Sequence, residues 1–114
     1  MNRISVIICA LPAIASIATA AALPTSAQEA SYTLTIGDKG FEPGILDVRA
    51  GEKISLTVKN TKKKPAEFES VALNREKIVP PGRSVTISIG PLEAGTYGFF
   101  DDFDSSHQGT ISVK

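Results

Sequence analysis

The stretch GFEPGILDVRAGEKISLTVKN, Gly40 to Asn60, carries the reading of the fold. Its second half alternates strictly: Ile54, Leu56 and Val58 fall on one side of an extended chain, and Lys53, Ser55, Thr57 and Lys59 on the other. A period of two with apolar residues on one side marks a strand with a buried face and a wet face. The segment RAGE, 49–52, supplies a glycine turn just before it. The pattern recurs on both sides, as Tyr32, Leu34 and Ile36 against Thr33 and Thr35, and as Val85, Ile87 and Ile89 against Thr86 and Ser88. Further turn chemistry lies in GDKG (37–40), VPPGR (79–83) and GPLEAGT (90–96). Short strands at this spacing, with no helical repeat anywhere, predict an all-β chain folded as an antiparallel sandwich or barrel. FESVALNREK, 68–77, admits either a strand with a turn or one helical turn.

The N-terminal part reads differently. Met1 to Arg3 is a short positive start, Ile4 to Ala22 is apolar and alanine-rich, and LPTSAQ follows with a proline and small residues. This predicts a signal peptide over residues 1–27, cleaved after Ala27, and a domain over 28–114. A retained apolar anchor is the alternative; the alanine content and Pro12 rank it below cleavage.

Composition then excludes several classes of function. Acidic and basic residues number 12 each, so no basic surplus points to nucleic acid or anionic lipid. Cys9 and Met1 are the only sulfur residues. After cleavage the domain has no disulfide, no thiol nucleophile and no sulfur ligand for a metal. The single histidine, His107, has no partner at triad spacing, because the adjacent Ser105 and Ser106 are too local. Paired carboxylates could in principle cleave sugars, but a sandwich this small offers no evident cleft.

The chemistry concentrates in YGFFDDFDSSHQGTISV, 97–113, an aromatic strand, a tight polar loop and a closing strand. Taken with GFEPGILDVRAGEKISLTVKN, GPLEAGTYGFF and the C-terminal strand, it resembles the cupredoxins over nearly the whole chain after residue 27. The resemblance implies a cupredoxin-like Greek-key β-sandwich. It also implies a metal end whose ligands are changed. Asp101 stands at the position of the family's copper-binding cysteine, Asp104 near that of the loop histidine, and His107 at that of the methionine before Gly109. The upstream histidine gives way to PAEFES, with Glu67 or Glu69 in its place. A blue-copper site needs a thiolate and two imidazoles, so this chain is expected to carry no type 1 copper.

EFES, LNREK, PPG, IGPL and FFDDF together look like the EfeO-type cupredoxin-like domains of bacterial periplasmic iron uptake. That resemblance implies a periplasmic protein that binds a copper or iron ion and assists Fe(II) oxidation before transport. It implies periplasmic iron-uptake proteins and a membrane iron permease as partners. The matching candidate ligands are Glu67, Glu69, Asp101, Asp102, Asp104 and His107.

Three aspartates within four positions raise one another's pKa unless a cation or donors compensate them. Carboxylates with one imidazole suit iron, manganese, zinc or Cu(II) and not Cu(I). Each residue also has a plainer reading. Loop aspartates commonly accept backbone N–H bonds, His107 could cap its loop, and Glu67 and Glu69, flanking an inward Phe68, could be ordinary outward charges. Lys62–Lys64 reads as a solvated loop, and Phe99, Phe100 and Phe103 as core and loop packing. The rival functions are a metal-free docking module for a transport partner and a self-sufficient ferroxidase.

Overall fold

A computed structural model describes residues 10, 12–19 and 29–114. The expected cleavage site after Ala27 lies outside the described residues. Residues 10 and 12–19 carry neither helix nor strand, and no helix among the described residues is long and apolar enough to cross a membrane.

Among the described residues nine strands follow one another: β1 Glu29–Gly37, β2 Gly40–Glu42, β3 Ile45–Val48, β4 Lys53–Asn60, β5 Ala66–Ser70, β6 Arg75–Val79, β7 Ser84–Ile89, β8 Gly95–Asp101 and β9 Asp104–Val113. They form a four-stranded sheet in the order β2-β1-β4-β7 and a five-stranded sheet in the order β3-β9-β8-β5-β6. The two sheets make a β-sandwich, one of the two forms expected from the alternation, and its architecture is consistent with the Greek key that the cupredoxin resemblance implies. Leu34 and Ile36 of β1, Leu56 and Val58 of β4, Phe68 of β5 and Ile111 of β9 are fully buried between them. Burying such side chains yields about 1.5–3 kcal/mol each, which is what holds an unstapled domain of this size together.

The sheets are mixed, where the alternation suggested antiparallel ones. β1 runs parallel to β4, from Glu29 beside Lys53 to Ile36 beside Asn60, and β3 runs parallel to β9. The chain leaves the first sheet after β2, forms β3 in the second, and re-enters beside β1 with β4 already turned to the same direction.

The ambiguous 68–77 segment is strand, turn and strand. Asn74 takes the left-handed conformation (φ 52°) that asparagine tolerates, and Ser70 Oγ accepts the Leu73 N–H at 3.2 Å. Ser70 in turn donates to the Gly98 carbonyl at 2.7 Å, tying the turn to β8.

Beneath the β8–β9 end three rings pack together. Phe41 meets Phe99 edge-on at 4.8 Å between centroids, and Phe68 lies 5.4 Å from Phe99. Gly109 sits across from Phe99 in the ladder, and a Cβ there would come within 2.4 Å of that ring. Phe103, expected to pack, is instead more than half exposed.

Candidate metal centre

The six candidate ligands separate into an inner group at the β8–β9 end and an outer group on the face of the five-stranded sheet. The connection between β8 and β9 is shorter than the expected polar loop, because Asp101 pairs with Asp104 across Asp102 and Phe103. The next pair in the ladder is Phe100 with Gln108, so the register breaks and Ser105, Ser106 and His107 have no partners on β8. His107 is therefore carried on an irregularity of β9.

Asp101 points inward and is fully buried. Lys62 Nζ donates to its Oδ2 at 2.8 Å, while the backbone N–H groups of Glu67 and Phe103 donate to its Oδ1 at 2.9 and 3.0 Å. Its acceptors are thus occupied by protein donors, where the sequence suggested an available ligand. Lys62, expected to be a solvated charge, has a side chain only 10% exposed.

Asp104 is exposed and accepts from Ser106 twice, from the hydroxyl at 2.6 Å and the N–H at 3.3 Å. The Ser106 hydroxyl holds its pKa below the ordinary value; partial burial opposes this, and His107 and Lys62 assist it. His107 Nε2 lies 3.6 Å from Asp104 Oδ2, while His107 Nδ1 is buried with no hydrogen-bond partner. Together with Lys62, Lys63, Lys64 and Phe103, these two side chains line a surface depression.

The outer group is assembled by the β5–β6 ladder. Phe68 points into the core, so Glu67 and Glu69 share the opposite face as expected. Glu69 lies directly across from Glu76, and Glu67 across from Ile78, which makes Glu67 and Glu76 diagonal neighbours. One carboxylate oxygen from each of Glu67, Glu69 and Glu76 lies within 4.8 Å of the others. Glu67 is not the exposed charge its position suggested, being only 5% exposed. The Asp102 N–H donates to the Glu67 carbonyl at 3.0 Å, bringing a fourth acid to the rim.

The electrostatics follow from this crowding. A shared hydrogen bond with Glu76 pushes the Glu67 pKa from 4.5 to about 7, reinforced by burial and by repulsion from Glu76, Asp102 and Glu69. Burial chiefly raises Glu69 as well, with Asp102 and Glu76 adding to it. Among the described residues the ion pairs are Lys62–Asp101 and Asp104–His107, so no basic side chain neutralises this group. Glu76 escaped the sequence reading because only the β5–β6 register reveals it.

Type 1 copper does not fit the inner group. Residues 29–114 contain no cysteine or methionine, and an ammonium already binds the Asp101 carboxylate at the end of β8. The outer group offers only carboxylate oxygens, a donor set for a hard or borderline cation.

A sandwich of two mixed sheets, one of four strands and one of five, is the architecture of a cupredoxin-type domain. The Cupredoxin-like domain model matches residues 7–113, and the chain belongs to that family. An uncharacterized protein of Rickettsia prowazekii (strain Madrid E) is 44% identical over 82 residues, 71% of this chain and 66% of that protein, so the match spans just under two thirds of the relative. Among solved structures, the metal-binding domain of the Cu(I)-exporting P-type ATPase CopA from Streptococcus pneumoniae, with Cu(I), superposes with a TM-score of 0.69 at 14% identity, covering 79% of this chain and 90% of that one. A purple cupredoxin from Nitrosopumilus maritimus gives 0.60 at 15% identity, covering 72% and 98%. A reduced-state amicyanin variant gives 0.60 at 20% identity, covering 74% and 82%. At these identities the likeness is one of fold.

Proposed function

We propose that this chain is an exported, periplasmic cupredoxin-like protein that binds a copper(II) or iron ion through carboxylates and assists ferrous-iron uptake alongside a membrane iron permease. One observation carries the metal-binding part. Glu67, almost completely buried, meets two further carboxylates and receives no hydrogen bond from a donor outside the group among the described residues. A buried carboxyl whose only hydrogen bond is shared with another acid is costly to ionise, and a cation relieves that cost. Glu67, Glu69 and Glu76 would hold the ion, with Asp102 at the rim. Anionic oxygen ligands favour the harder Fe(III) over Fe(II), so a bound iron would be easier to oxidise. The iron-uptake part rests on the EFES, LNREK, PPG, IGPL and FFDDF resemblance, and export rests on the signal-like segment 1–27.

Calorimetric titration of the metal-stripped protein with Cu(II), Mn(II) and, anaerobically, Fe(II) tests the reading. Binding that a Glu67→Gln/Glu76→Gln variant loses supports it. Equal binding by that variant removes its basis. Catalytic turnover of Fe(II) under oxygen above the buffer rate would extend it to a ferroxidase.

A second reading is favoured by the ion pair at the inner site. Lys62 and Asp101 satisfy each other without a metal, as a metal-free docking module for a transport partner would require. That module predicts a fold indifferent to chelators and no calorimetric binding of any of the three ions.

A further inference from the structure

We infer that the ε-ammonium of Lys62 is the resident cation of the β8–β9 end, neutralising Asp101 and excluding divalent metal ions from it. A fully buried carboxylate requires a counter-charge or a set of donors. Asp101 has both. Lys62 Nζ stands 2.8 Å from Oδ2, and the Glu67 and Phe103 N–H groups reach Oδ1. One carboxylate thereby gathers three segments: the loop after β4, the start of β5 and the β8–β9 turn. Gathering separate segments on one charged centre is the service a bound metal performs in a metal-closed fold.

The lysine is presented by a built device. Asn60, at the end of β4, is 2% exposed. Its Nδ2 donates to the carbonyls of Lys64 at 2.7 Å and Val79 at 3.0 Å, while its Oδ1 accepts the Lys62 N–H at 2.9 Å. The amide side chain therefore shapes residues 60–64 from within and turns Lys62 toward the interior. Lys63 and Lys64, which share the composition but not the position, stay exposed. An incoming divalent ion would have to displace an ammonium from a short charge-assisted bond and then bind beside it. At an effective dielectric near 20, a unit charge about 4 Å away from a divalent ion opposes binding strongly. This inference does not depend on the outer carboxylates, which lie on the other face of β5.

His107 gives the test a unique reporter, since it is the chain's only histidine and lines the same depression as Lys62. Its imidazole proton signals are followed by NMR during titration with Zn(II), for the wild type, Lys62→Leu, Lys62→Arg and Lys62→Leu/Asp101→Asn. The wild type and Lys62→Arg are expected to keep their His107 signals unmoved. Lys62→Leu is expected to show them shifting, with Zn(II) affinity at that end raised about tenfold or more by removal of the opposing charge, and the double variant to lose most of the gain. Wild-type signals that move with Zn(II) overturn the inference, as does a folded Lys62→Leu protein that gains nothing. Should Lys62→Leu fail to fold, the wild-type titration still decides. Effects confined to Glu67, Glu69 and Glu76 bear on the outer group alone.

Discussion

Replacing Asp101 by alanine should destabilise the domain more than any other single change of an acid. The substitution removes the counter-charge of Lys62, whose side chain is 10% exposed, and the acceptor of two backbone N–H groups, those of Glu67 and Phe103. Removing one member of a buried ion pair costs about 3–5 kcal/mol, because the other charge is left uncompensated. The two N–H groups add to this where water cannot reach them, at about 1–3 kcal/mol each. Lys62 can recover part of the loss by swinging outward, since its loop lies at the surface, so the net effect is set at about 3–5 kcal/mol. For a domain of this size that lowers the melting temperature by more than about 12 °C. Asp101→Asn keeps an acceptor for the N–H groups but loses the charge and sets an amide NH2 against Lys62; with the Oδ1 bonds kept it should still cost less than alanine, about 1–3 kcal/mol. Urea denaturation followed by circular dichroism, with and without EDTA, measures both variants. A cost below about 1 kcal/mol for Asp101→Ala would refute the assignment of a buried, three-way anchor. Equal costs for the alanine and asparagine variants would show that the Oδ1 bonds contribute nothing.

Three other outcomes are expected. Gly109→Ala must push a methyl into the Phe99 ring, which Phe41 and Phe68 hold in place, and should cost about 1–3 kcal/mol in thermal denaturation. Asn60→Ala strips the Lys64 and Val79 carbonyls of their donor and should cost about 1–3 kcal/mol by the same method, with Lys62 less well held. The pH dependence has a definite sign at Glu67: its folded pKa of about 7 lies above the unfolded 4.5, so between these values the folded chain keeps a proton that the unfolded chain releases. Stability of the metal-free protein should therefore fall as pH rises through that window and level off above it, and Glu67→Gln should flatten the profile. Asp104, whose pKa is lowered, contributes in the opposite sense, by stability lost on acidification below its ordinary 3.8.

The alternation of Ile54, Leu56 and Val58 made β4 and its buried face legible, and the same pattern gave β1 and β7. Period two says which side of a strand is dry but is silent on the neighbour's identity and direction. The parallel pairing of β1 with β4 was invisible for that reason. Glu67 and Glu69 could be placed on one face because Phe68 between them had to point inward; Glu76 joined them only through a β5–β6 register that no local pattern encodes. Lys62 was hardest to read. In a run of three lysines it looked like solvent-facing charge, and its partner lies 39 residues further along the chain. Asp101 was found through its position at the end of the aromatic strand, yet what it binds depends on that distant lysine.

The two groups of acids meet a dissolved cation under opposite conditions. At the β8–β9 end, Asp104 and His107 open into a depression that Lys62, Lys63 and Lys64 also line. On the sheet face, Glu67, Glu69, Glu76 and Asp102 act on one another with no basic residue paired to them among the described residues. At physiological ionic strength charges are screened over about 8 Å, so a cation responds to whichever cluster it has reached and hardly at all to a net charge near zero. Near the lysines it is repelled, and Lys62 cannot be displaced without uncovering Asp101. Near the glutamates it takes the place of the proton that the Glu76 hydrogen bond, burial and repulsion keep on Glu67 close to neutral pH. The same fold can thus keep its inner end closed by an internal ion pair while its outer face presents the oxygen donors. The charge that holds the inner end together is covalently part of the chain, so that end closes without a sulfur ligand.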